Sequence, residues 1–70
     1  MFDENIFMER LSTARKRMNV SKRQLAFRIH ISPAAMGQFE RGVALPTLKT
    51  LVSLADALGV TTDWLLGREE

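Results

Sequence analysis

"SKRQLAFRIHISPAAMGQFERG", residues 21–42, holds two helix starts and one helix stop in quick succession. Ser21 and Gln24 stand three residues apart, the pattern of a capping box. In that arrangement the serine hydroxyl and the glutamine side chain each satisfy a free amide at the helix start. Ser32-Pro33 signals a second start by different means. Serine is a favoured N-cap, and proline suits the first helical position, whose amide would be unpaired anyway. Gly42 then supplies the stop. Only His30, Ile31 and Ser32 lie between the two helical stretches, 22–29 and 33–40. Histidine is enriched at positive φ among non-glycine residues, so His30 can make the turn. Leu25, Ala26 and Ile29 face inward from the first helix, Met36 and Phe39 from the second, joined by Ile31. Ala26 is small enough to let the second helix cross the first closely and steeply.

The flanks supply what this pair packs against. A helix is predicted from about Ile6 to Met18, with Phe7, Leu11, Ala14 and Met18 on one apolar stripe. Arg10, Lys16 and Arg17 lie off that stripe and are expected to reach water. Asn19 follows, a residue that tolerates the left-handed conformation at a helix end. Beyond "VALP", Thr47 caps a helix running to about Leu58, with Leu48, Leu51, Leu54, Ala55 and Leu58 on its buried side. Gly59 stops it. Thr61 or Thr62 caps a last short helix holding Trp64, Leu65 and Leu66, which Gly67 closes. No strand pattern, repeat or low-complexity stretch interrupts this, so the fold expected is all-α, five helices in one domain over residues 1–70.

Seventy residues is near the lower size limit for unaided folding, where a chain buries only ~60% of its unfolded surface. At 46% hydrophobic and 26% charged residues the composition is that of a globular chain, not a disordered one. There is no cysteine, so disulfides and thiolate metal sites are excluded. The apolar runs are far too short to span a membrane, and the first residues do not resemble a signal peptide. A cytoplasmic location is the expectation. The net charge of +2 conceals a strong segregation. Nine of the ten Lys and Arg residues fall between Arg10 and Lys49, where Glu40 is the one acid. Both ends are acidic. A local positive field of this kind is what a phosphate backbone attracts, although a solvated basic face accounts for it equally well.

Two helices joined by so short a turn have helix-turn-helix geometry, in which the second helix enters a DNA major groove and the first spans the backbone. With Met36 and Phe39 turned inward, Pro33, Ala34, Gly37, Gln38 and Arg41 fall on the opposite stripe. Small residues at the tip let a helix enter a groove without collision. Pro33 and Ala34 can meet thymine methyl groups, and Gln38 can bond bidentately to adenine N6 and N7. An exposed Ala-Gly face alone would also suit an ordinary surface helix.

Taken with "RLSTARKRMNVSKRQLA", "LPTLKTLVSLADALGV" and "TTDWLLG", the segment resembles the Cro/CI, or XRE-type, helix-turn-helix regulators of phages and bacteria. The resemblance runs from about Arg10 to Gly67 and implies a compact, lambda-repressor-like five-helix fold. It further implies a dimeric regulator, most often a repressor, on double-stranded operator DNA, with no cofactor. By this resemblance Arg15 of the first helix pairs with Glu40, which ends the third. Lys22 stands where the family has a phosphate-binding glutamine, making that contact ionic. Ser21 and the first amides of its helix face phosphate as well. Pro33, Ala34 and Gln38 match base-reading positions, and Ser32 lies near the backbone. The family's C-terminal region often forms the two-fold contact, which points to Val60, Trp64 and Leu65, although so small a domain needs such residues for its core. Two family glycines are replaced, by Asn19 and His30. The usually polar loop after the third helix is Val43-Ala44-Leu45, which leaves Arg41 as the nearest phosphate contact there.

Other chemistry finds little support. His30 has no second histidine or cysteine beside it, and no nucleophile–base set or phosphate-binding glycine loop is present, so an enzyme is not expected. Phe27 lies off its helix's apolar stripe, where exposure is expected. Two other readings share the scaffold. One is a protein-interaction or antitoxin component gripping a partner through the "VAL" loop; the other is non-specific nucleic-acid packaging, which leaves the shaped third helix unused.

Overall fold

The computed structural model describes residues 1–69. It contains five helices: α1 (Glu4–Arg17), α2 (Lys22–Arg28), α3 (Pro33–Arg41), α4 (Leu48–Leu58) and α5 (Thr62–Leu65). No strand is present among the described residues. None of the helices described is long and apolar enough to cross a membrane.

Every helix start has a side-chain cap. Asp3 accepts from the Asn5 amide, so α1 begins two residues before the Ile6 expected from its stripe. Ser21, Ser32, Thr47 and Thr61 accept from the amides of Gln24, Ala35, Thr50 and Trp64. The choice left between Thr61 and Thr62 thus falls to Thr61. Helix ends follow the same local logic: Asn19 and His30 adopt φ of +58° and +61°, and Gly42 one of +75°. Gly42 suits this left-handed turn, and a Cβ there would also press on the flexible Met8 thioether, which would have to shift.

One core draws on all five helices. Phe7 and Leu11 of α1, Leu25 of α2, Met36 of α3, Leu54 of α4 and Leu65 of α5 are its fully buried members. Each such side chain is worth ~1.5–3 kcal/mol relative to exposure. Ala26 is completely buried as well, and α2 packs on α3, which in turn packs on α1. The short α5 closes the fold by lying against both α1 and α4.

Four side chains depart from expectation. Leu48 is 82% exposed, because the α4 stripe extends one turn past the edge of the core. Met18 is likewise exposed, at the C-cap of α1 and beyond the last turn that touches the interior. Arg10 does not simply reach water: its Nη1 donates to the Trp64 carbonyl at 2.6 Å, and its guanidinium stacks 5.0 Å from the Trp64 ring centroid. The fourth, Leu65, is completely buried and therefore cannot serve as a subunit contact.

Candidate nucleic-acid interface

The surface of interest is built from the starts of α2 and α3. At the first of them the Ser21 hydroxyl accepts from the Gln24 amide at 3.0 Å, while Gln24 Oε1 accepts from the Ser21 amide at 2.7 Å. This box rigidifies the first turn and leaves the Ser21 hydroxyl proton able to donate outward. Lys22 is exposed beside it. Ser32 repeats the device one helix later, accepting from the Ala35 amide at 3.0 Å. Pro33, Ala34 and Gln38 all lie exposed on α3, with Met36 and Phe39 buried behind them.

Gly37 departs from the open stripe expected of it. It is buried, and a Cβ placed on it would lie 2.9 Å from Arg41 Nη1. Residues i and i+4 share a helix face, so the Arg41 side chain runs back one turn over the space that the glycine leaves. The positive head thus sits on the same side of α3 as Ala34 and Gln38, rather than over the loop that follows. Sequence periodicity places Gly37 on the right face but cannot reveal what covers it.

A buried ion pair fixes the direction in which α3 points. Arg15 Nε donates to Glu40 Oε2 at 2.7 Å and Nη2 to Oε1 at 3.2 Å, while Nη1 donates to the Val20 carbonyl at 2.9 Å. Their side chains are 10% and 5% exposed. Two parallel bonds from a planar guanidinium define an orientation as well as a distance. The third bond ties the same group to the chain leading into α2, so one side chain in α1 holds both halves of the candidate interface.

Arg23 and Arg28 stand out in the sequence only as charges. Together with Gln24, Phe27 and Ile31 they line a groove along α2 that continues to Pro33 at the tip of α3. Phe27 is 81% exposed there. The basic run gave a signal, but not which of its members would share a surface with Pro33. Trp64, away from the residues that line this groove, meets both Arg10 and Arg17, whose guanidinium carbons are 5.0 and 5.8 Å from its ring centroid. Val60 is half-buried. Of the three residues expected at a subunit contact, the structure therefore removes Leu65 and engages Trp64 within its own chain.

A family model described as helix-turn-helix matches residues 11–65. The cryptic phage CTXphi transcriptional repressor RstR of Vibrio cholerae is 43% identical over 60 residues, covering 86% of this chain and 54% of that protein. An SPbeta prophage-derived HTH-type transcriptional regulator of Bacillus subtilis, YonR, is 41% identical over 87% of this chain and 56% of its own length. The chain thus spans about half the length of these curated relatives. Among solved structures, the P22 c2 repressor in complex with a synthetic operator superposes with a TM-score of 0.85 at 28% identity. That match covers 90% of this chain and 96% of the repressor chain.

Proposed function

The chain belongs to the helix-turn-helix family, and from that premise we propose that it binds double-stranded DNA sequence-specifically as a transcriptional regulator. The reading is of a cytoplasmic repressor acting as a homodimer on a two-fold operator, each α3 entering the major groove about one helical turn from the other. The observation that carries it is the exposed tip of α3, Pro33 and Ala34 followed by Gln38, aimed by the buried Arg15–Glu40 pair. Pro33 and Ala34 meet thymine methyl groups, Gln38 bonds an adenine edge, and Ser21, Lys22, Ser32 and Arg41 hold phosphates. Arg23 and Arg28 extend the positive surface along α2. Binding to a selected operator and to random duplex, each titrated with salt, tests the proposal as a whole. A selective preference supports it, whereas equal affinities at every salt concentration would point to packaging.

Lys22→Ala is expected to weaken binding to specific and random DNA by similar factors and to reduce the salt slope by about one. A change of preferred sequence with the slope intact would show that Lys22 touches bases instead.

Gln38→Ala is expected to flatten the preference at one base pair per half-site while leaving random-DNA affinity nearly unchanged. A good bidentate contact is worth ~1–3 kcal/mol against the wrong base, and neither Pro33 nor Ala34 can hydrogen-bond through its side chain. Selection from a random pool with both proteins reads the effect directly. Identical selected motifs would leave thymine methyl contacts or DNA shape as the source of specificity.

A further inference from the structure

Arg41, folded back along α3, brings to the outward stripe a group that the stripe otherwise lacks. Gly37 is buried although Ala34, Gln38 and Arg41, on its side of the helix, are all exposed. Its cover is the Arg41 guanidinium: a Cβ on Gly37 would lie 2.9 Å from Nη1 and 3.8 Å from Cζ. Ala34 and Arg41 are seven positions apart, so on an α-helix they return to within ~20° of one angle. Arg41 is therefore rooted in the middle of the stripe, in line with Ala34. Its head reaches back about one turn, ~5.4 Å, to the level of Gly37. There it stands beside Gln38, the next residue along that face.

No contact within the chain uses this guanidinium. No side-chain hydrogen bond or ion pair among the described residues involves Arg41; those of the neighbouring acid go to Arg15. That acid, Glu40, is the one acid between Arg10 and Lys49. The donors of Arg41 are left free on the exposed side of α3.

We propose that Arg41 reads a guanine of the operator and that Gly37 is the residue that positions it. The assignment takes from the proposed function that α3 lies in the major groove. Phosphates border that groove, whereas the middle of the outward stripe faces the base edges on its floor. Two N–H donors of a planar guanidinium match guanine O6 and N7, while Gln38 suits adenine. The two side chains thus read different bases at adjoining levels of the groove. Three further donors remain on the arginine, so the phosphate contact given to it above is extended and not replaced. A head already laid along the helix also loses little rotamer freedom on binding.

Glycine is what leaves it room. Alanine at position 37 would push the head off the stripe. The displaced atom is the end of a flexible side chain, so the fold itself is not strained. Alanine is also the better helix former.

Selection of sites from a random duplex pool, followed by salt titration on the selected site, tests the assignment. Arg41→Ala is expected to lower the preference for guanine at one base pair per half-site by ~10-fold. Gly37→Ala keeps the arginine and its charge. It is expected to lose the same preference with the salt slope unchanged and a thermal midpoint no lower than that of wild type. Adding Gly37→Ala to Arg41→Ala should change the motif no further. An additional loss in the double variant would mean that the new methyl group itself meets DNA, and would overturn the role of Gly37. An Arg41→Ala protein that selects the wild-type motif, weakened equally on specific and random DNA, would assign Arg41 to phosphate alone and overturn the guanine reading. A wild-type chain that selects no motif would overturn the proposed function and this assignment together. A sharp wild-type motif in which no guanine depends on Arg41 would overturn this assignment alone.

Discussion

Glu40→Ala is expected to lower the unfolding free energy by ~3 kcal/mol, because it leaves a guanidinium charge in the interior without its partner. Arg15 is only 10% exposed in its side chain, and its bond to the Val20 carbonyl tethers it there. Rotating into water would sacrifice that bond too. The double variant Arg15→Met/Glu40→Leu removes both charges together and should recover much of the loss, since a buried pair is often matched by apolar residues of similar size. Denaturant midpoints of the two singles and the double variant measure this directly. A midpoint that barely moves for Glu40→Ala would mean that Arg15 finds solvent without cost. The double variant also separates stability from aim: if it folds well yet selects DNA less sharply, the pair's main service is to orient α3.

Ala34→Asp is expected to lower affinity for duplex DNA by at least ~100-fold, as like-charge juxtaposition at an interface costs several kcal/mol. Ala34 is exposed in the first turn of α3, where an acidic side chain complements the helix dipole. Thermal stability should accordingly hold or rise slightly while binding collapses. This opposition makes the experiment decisive, because unfolding would move both quantities the same way. Ala34→Ser, which adds a small hydroxyl and no charge, should bind far better than the aspartate variant. Equal affinity of Ala34→Asp and wild type for every duplex tried would remove the tip of α3 from the interface.

How much of this was legible in the sequence depended on the range of the interaction concerned. The serine and threonine caps bond amides within three residues, so their patterns survive without knowledge of the fold. Asn19 and His30 were expected at chain reversals for an equally local reason, tolerance of positive φ, and both adopt it. Periodicity correctly set Met36 and Phe39 inside and Pro33, Ala34 and Gln38 outside. By contrast, the Arg15–Glu40 pair joins residues 25 positions apart, and nothing in either segment's own pattern calls for the other. Only the resemblance to Cro/CI regulators pointed to it.

The sequence by itself determined five helices and the caps of the last four, the short turn between α2 and α3, and the outward face of α3. Caps, φ preferences and 3.6-residue periodicity all act within a few residues. The tertiary structure alone decided that Leu48 is open, that Leu65 is sealed, that Arg10 lies on Trp64 and that Arg41 covers Gly37. An apolar stripe states which face a helix would bury but not how far along it a neighbour extends, and α4 outruns the core by one turn. A basic residue off the stripe reaches water only if no other element returns to meet it, and α5 returns to Arg10. Burial is a property of what packs against a residue, and that is fixed only when helices distant in sequence close around one core.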